Sequence, residues 1–275
     1  MKKEIFDTGL EVAKKHSSML IGFLFPQVEA FDAYKDSIRN DSELTDLEKA
    51  IKLHTARNDF KHIINQNKIA QIANDSAKEG TDFSDKSGVN EDFIDRFMDS
   101  AKFVSDENLQ AMWGKVLAGE FENPNSTPMS VIRILTELTQ EQAEAFAIVC
   151  SCTMADDEWK KFTLIPQDFL SGQKFRFPPN TIRDLNSLGL LSFRSSGDYV
   201  TCGDLSVKFQ LLYHEHKLTV FTDSKGKLPT GCVVLTSAGI ALFNSVEKKE
   251  IPGFFDDVKR YFKSRKIKFV EENDT

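Results

Sequence analysis

The sequence predicts a mainly helical N-terminal half followed by a smaller α+β domain of winged-helix type with a long wing, on three observations. Before Cys152, apolar residues recur at helical spacing. After it, the apolar stretches shorten and alternate, broken by turn residues at Gly197-Asp198, Gly203-Asp204 and Asp223-Ser224-Lys225-Gly226. A short capped helix, Thr181 to Leu188, precedes those strands, and a second helix capped by Thr236 follows them. The domains expected are 1–152 and 153–275, with the linker near Cys152 to Trp159. A length of 275 residues holds one large or two ordinary domains.

The first helix expected is Ile5 to Phe25, closed by Pro26. Val28 to Ile38 forms a second. After the polar loop Arg39 to Glu43, Thr45 to Ala77 reads as one long polar helix. Its narrow stripe of Ile63, Ile64, Ile69 and Ile72 suits a coiled-coil-like or solvent-bridging helix better than a fully buried one. Glu79 to Gly88 has the composition of a loop. Asn90-Glu91-Asp92 caps a helix that holds Phe93, Ile94, Phe97 and Met98. Asn123 to Pro128 is a rigid turn, Met129 to Leu138 a further helix, and Thr139 opens another, with Glu141 or Gln142 closing a capping box.

In the second half, Gly189 stops the helix that begins at Thr181, and a strand follows. Alternation then marks Tyr199-Val200, Leu205 to Phe209, Leu218 to Phe221 and Val233 to Leu235 as strands. Thr236 caps a helix from Ser237 to Val246, in which Gly239 permits close packing. A helix near Gly253 to Lys263 and a strand from Ile267 to Val270 finish the chain.

Hydrophobic residues make up 40% of the chain, enough for a sizeable core, and 23 Phe against 4 Tyr and 2 Trp favour packed helix interfaces over a Tyr- and Trp-rich binding surface. The net charge of −7 argues against non-specific coating of nucleic acid. Residues 151–275 hold 18 Lys and Arg against 16 Asp and Glu, a balance of +2 that leaves −9 for residues 1–150. Any nucleic-acid or anionic-lipid contact is therefore expected in the C-terminal half. Cys150, Cys152, Cys202 and Cys232 follow no signal-peptide pattern, so reduced thiols and a cytoplasmic location are expected. The longest apolar run, Met19 to Phe25, is too short to cross a membrane.

The most specific stretch is Asp99 to Glu120. Ser105 reads as an N-cap, and Asp106 and Glu107 place negative charge at the positive end of a helix dipole. Leu109, Met112, Trp113, Val116 and Leu117 share a helical face, Gly114 stands in the interior and Gly119 at the end. Trp113, with Leu109, Gln110 and Leu117, is expected in the core. The Gln110 amide suits a backbone group at a helix junction, a packing device and not a catalyst.

These residues, together with Asn65 to Ala73, Val89 to Phe93 and, more weakly, Leu235 to Gly239, resemble an uncharacterised family of bacterial proteins known only as a domain of unknown function. The resemblance covers about the last three-quarters of the chain. Asp106 to Trp113 and Leu117-Ala118 are also similar, more loosely, to the abortive-infection alpha proteins of phage defence. The resemblance implies a bacterial, mostly helical protein with a role in defence against phage, and it carries no catalytic residues.

Other constellations read as structural. Cys150-x-Cys152 with His214-x-His216 has poor spacing for structural zinc. Cys150 is expected as a buried helix residue, and both histidines on one face of a hairpin strand. Asp156-Asp157-Glu158 and Asp256-Asp257 are expected at helix starts, complementing the dipole. The sequence contains no phosphate-binding loop or nucleophile elbow, and neither cofactor nor metal is expected. In the winged-helix reading, the helix from Thr181 offers Arg183 and Asn186, next to Asp184, to DNA. The strongest basic cluster is Lys259, Arg260, Lys263, Arg265, Lys266 and Lys268, which fits phosphate or anionic-lipid contact, or simply a solvated helix end.

The function these features indicate is a non-enzymatic regulatory or sensor/adaptor protein that works through protein partners or self-association. One alternative is a sequence-specific DNA-binding regulator using Arg183, Asn186 and the 259–268 cluster. Another is a membrane-associating effector anchored by Met19 to Phe25 behind Lys14 and Lys15.

Overall fold

A computed structural model describes residues 28–83, 88–156, 161–165, 180–201, 208–221 and 227–272. The protein is mainly helical with a smaller share of antiparallel β-structure. The chain divides into two compact units between Thr136 and Glu137. The expected helix Ile5 to Phe25 and the apolar run Met19 to Phe25 lie outside the described residues.

The first unit holds α1 (Val28–Asn40), α2 (Asp46–Ser76), α3 (Glu91–Ala101) and α4 (Glu107–Glu122), with α5 (Ser130–Glu137) at the border. Thr45 and Glu48 close a capping box at the start of α2: the Thr45 hydroxyl accepts from the Glu48 N–H, and the Glu48 carboxylate accepts from the Thr45 N–H at 2.8 Å. The buried side of α2 differs from the expected isoleucine stripe. Asn65, Ile69, Ala70 and Ala73 are buried, whereas Ile64 is exposed. Alanine lets the α4 backbone come close, so the C-terminal half of α2 packs along α4, whereas in the N-terminal half only Ala56 is buried. Helix α3 follows the sequence pattern closely. The Asn90 side chain accepts from the Phe93 N–H, and Phe93, Ile94, Phe97, Met98 and Ala101 form one buried face.

The second unit begins with α6 (Gln140–Ser151), whose capping box pairs Thr139 with Gln142. The strands are β1 (Thr153–Asp156), β2 (Lys161–Thr163), β3 (Leu191–Thr201), β4 (Lys208–Tyr213), β5 (His216–Phe221), β6 (Lys227–Leu235) and β7 (Lys268–Glu272), with helices α7 (Thr181–Leu188), α8 (Ser237–Leu242) and α9 (Phe254–Ser264). The border falls ahead of the expected 152/153 boundary. Helix α6 packs on α7, and the Cys152 carbonyl accepts from the Leu164 N–H at 3.0 Å, which ties the end of α6 into the β-structure.

Strands β2-β1-β4-β5-β7 form an antiparallel sheet in that order, and β3 and β6 form a separate antiparallel pair. Ile165 bridges Gly231 of β6 in parallel. One face of the five-stranded sheet carries buried Met154, Leu211, Tyr213, Leu218 and Val220. Helix α9 meets it: Phe254 packs against Tyr213 with ring centroids 4.8 Å apart, and Phe262 faces Phe269 at 6.3 Å. The Tyr213 hydroxyl accepts from the Ile251 N–H at 3.0 Å, and burial pushes its pKa up to about 12.

Local details correct several expectations. The strand expected from Leu205 is described only from Lys208, and it continues to Tyr213. The helix expected from Ser237 to Val246 ends at Leu242 and tightens into a 3₁₀ turn over Phe243–Ser245. Asp156 ends strand β1 and starts no helix, because the residues before it pair with β2; Asp157 and Glu158 lie outside the described residues.

Candidate functional site

The specific stretch of the sequence builds helix α4 and its junctions. The N-cap is Asp106 and not Ser105, which stands one residue outside: the Asp106 carboxylate accepts from the Leu109 N–H at 2.9 Å, and Glu107 is the first helical residue. Trp113 is wholly buried, 4.6 Å from the Phe97 ring between centroids. Leu117 is buried beside it in sequence register and Leu109 is half-buried.

Gln110, also buried, donates from Nε2 to the Val104 carbonyl at 2.8 Å and reaches Asn65 Oδ1 at 3.4 Å. Asn65 Nδ2 in turn donates to the Lys102 carbonyl at 2.8 Å, and Gln66 Nε2 to the Met98 carbonyl at 2.9 Å. Three side-chain amides thus fasten α2 and α4 to the end of α3 and to the α3–α4 connection. They satisfy carbonyls that the end of α3 leaves open.

The two motif glycines play different parts. A Cβ on Gly114 would stand 2.5 Å from Ile72 Cγ2 and 3.0 Å from the Ile69 carbonyl, so Gly114 is where α2 and α4 touch. Gly119 does not end the helix, which runs on to Glu122, and a Cβ there would meet nothing within 4 Å. Gly119→Ala should therefore stabilise the protein by about 0.5–1 kcal/mol through helix propensity, while Gly114→Ala should destabilise it. Urea unfolding of both variants checks the pair, and equal shifts of one sign would refute the distinction.

Glu120 is the residue that spacing does not reveal. It is 1% exposed, and its two carboxylate oxygens accept from the Asn125 N–H at 2.6 Å and the Thr127 N–H at 2.9 Å. It holds the Asn123 to Pro128 turn against the end of α4. The signal available was its place just before a turn rich in Pro and Asn, whose N–H groups need an acceptor.

In the second unit, Arg183 and Asn186 lie exposed on α7, whose packing partners include α6 and β3. Asn186 Oδ1 accepts from the Phe193 N–H at 2.9 Å, so this side chain holds β3 to α7. The basic cluster separates into two groups. Lys259 bonds Asp256 at 2.9 Å and Glu271 at 3.0 Å, which raises its pKa, and Arg260 pairs with Asp257. Lys263, Arg265, Lys266 and Lys268 are exposed, with no ion pair among the described residues.

The described Cys and His residues do not converge on a common site. Cys150, Cys152 and Cys232 are buried. Burial pushes the Cys152 thiol far above its ordinary range and the Cys232 thiol up to about 11. Cys202 lies outside the described residues. His214 is not on the strand with His216; it sits in the β4–β5 turn at φ 51°, because Tyr213 and His216 are the last paired residues of the hairpin. His216 stacks on Phe255 at 4.6 Å and meets Glu250 at 3.1 Å. Among the described residues, no group of three or more His, Cys, Asp or Glu side chains could hold a metal ion. No described helix is long and apolar enough to cross a membrane.

The arrangement defines a helical unit stapled by buried amides, joined in sequence to an α+β unit with an exposed basic end. The chain belongs to the family described as "Protein of unknown function (DUF2806)", whose model matches residues 53–259. That match takes in most of α2, the whole motif helix and the second unit up to Lys259. No curated protein and no solved structure matches the chain.

Proposed function

We propose that this is a non-enzymatic regulatory or adaptor protein of the bacterial cytoplasm, acting in abortive-infection-like defence against phage. The observation that carries this reading is the use made of the motif. Gln110, Trp113, Gly114 and Leu117 all pack inside the helical unit, so the most specific part of the sequence encodes a scaffold. The likeness of Asp106 to Trp113 to abortive-infection alpha proteins supplies the defence context. The second unit is its recognition module, a winged helix. Helix α6, the stretch 163–165 bridged to β6, helix α7, then β3 and β6 support that order, with the β4–β5 hairpin inside the wing. Because Asn186 is engaged with Phe193, α7 suits a protein surface better than direct base readout.

The helical unit self-associates through α1 and α2. A groove of about 670 Å³ between them is lined by Phe31, Tyr34, Ile38, Ile51, Phe60 and Ile63, among others. Tyr34, Leu47 and Ile51 are exposed around it. The occupant is a second copy, on grounds of charge. Glu43, Asp46 and Glu48 precede Ile51, and Lys52, Arg57 and Lys61 follow it, with Lys49 and Asp59 as exceptions. An antiparallel two-fold pairing about Ile51 sets acids against bases. Sedimentation velocity should show a dimer for the native chain and a monomer with unchanged melting temperature for Ile51→Glu. A native monomer at all concentrations overturns self-association. Identical plating of a broad phage panel, with and without the gene and its neighbours, overturns the defence role.

A further inference from the structure

We propose that the end of the five-stranded sheet, where Lys208, Phe221 and Lys268 form one row beside Lys263, Arg265 and Lys266, binds single-stranded nucleic acid. The row is set by strand register. Phe221 of β5 pairs with Lys208 of β4 on one side and with Lys268 of β7 on the other. Cross-strand partners project from the same face. With strands about 4.8 Å apart, a cation flanks the ring on each side, and the two lysine backbones stand about 10 Å from one another. Both lysines are exposed and Phe221 is half-buried. This is the face turned away from α9, since Phe269, the next residue of β7, meets Phe262 of that helix.

The other three cations surround the same sheet end from the α9 side. Lys266 adopts φ 59° in the tight turn between α9 and β7, its N–H donating to the Lys263 carbonyl at 3.0 Å. Lys263 stands 5.9 Å over the Phe269 ring and Arg265 lies 5.5 Å over the Tyr261 ring. None of the five has a carboxylate partner among the described residues, whereas the neighbouring Lys259 and Arg260 both do. In a chain of net charge −7, five cations with no carboxylate partner among the described residues repel each other until a polyanion covers them. A ring between two cations matches the alternation of base and phosphate, and the base must be unpaired to stack on it. The cations also emerge on both sides of the sheet. A flexible strand can follow that path, while a flat bilayer meets one side of it.

The test is fluorescence anisotropy of the full chain with a labelled oligothymidylate of about 20 nucleotides, between about 50 and 200 mM salt. Binding should weaken steeply with salt. Lys208→Ala/Lys268→Ala should weaken it about tenfold or more at low salt and reduce the slope of log affinity against log salt by about 1.4. Phe221→Leu should weaken binding with the slope unchanged, and a thermal melt confirms that it is folded. Arg96→Ala, exposed in the helical unit and outside the α1–α2 groove, should bind as the native chain does. The proposal is overturned by absence of binding at low salt, by native affinity in the double variant, by equal affinity for the matching duplex, or by capture on phosphatidylserine vesicles in place of the oligonucleotide.

Discussion

Trp113→Ala is expected to cost the helical unit about 3–5 kcal/mol, much of what a domain of ordinary stability has. The side chain is wholly buried and packs on Phe97, which is itself wholly buried, so truncation leaves a cavity that rigid neighbours cannot fill. The surroundings are also unable to relax, because Gly114 holds α2 and α4 in backbone contact one residue away. Trp113→Phe should cost considerably less. It keeps a ring against Phe97 and removes Nε1, a buried donor with no hydrogen-bond partner. Urea unfolding followed by far-ultraviolet circular dichroism should rank the three proteins native, Phe, Ala. An alanine variant that melts near the native temperature would show that Trp113 does not anchor this core.

Where the structure was legible in the sequence, the signal was local. Asn90, Thr139 and Thr236 each cap the helix that their position before an apolar run indicates. Phe93, Ile94, Phe97 and Met98 form the face that their spacing indicates, and Gly189, at φ 88°, ends α7 as a C-cap. Ser105 and Asp106 are both competent caps, and only the backbone bond from Leu109 decides between them.

What was illegible depended on partners distant in sequence. The inner face of α2 is written in Asn65, Ala70 and Ala73, which carry little hydrophobic periodicity yet allow the approach to Gly114. Asn65 looks like a surface residue until Gln110 and the Lys102 carbonyl are brought to it from about forty positions away. Strand order was equally hidden: nothing local tells β7 to lie beside β5, or β6 to pair with β3. The candidate site inherits both limits. The basic run after Lys259 is plain in the sequence. Its division into cations with and without a carboxylate partner among the described residues, and the addition of Lys208, follow only from the sheet.

Gly239→Ala should destabilise the second unit by about 1–3 kcal/mol or more, against the ordinary expectation for a helix. In an open helix the change would be favourable by up to about 1 kcal/mol, since alanine is the better helix former. Here an added Cβ would stand 2.0 Å from the Leu190 carbonyl oxygen, which is backbone and not the movable end of a side chain. That carbonyl also accepts from the Thr236 N–H at 3.1 Å, and the Thr236 hydroxyl donates to the Gly189 carbonyl at 2.6 Å. The start of α8 is thereby fixed to the turn between α7 and β3 from both sides. To admit the methyl group, α8 must move off Leu190 and loosen the bonds that place Thr236 as its cap. Thermal unfolding of Gly239→Ala beside Gly119→Ala makes a matched comparison, the same substitution in two helices. The first should melt below the native protein and the second above it. A Gly239→Ala protein at or above the native melting temperature would show that α8 does not rest on the Leu190 backbone.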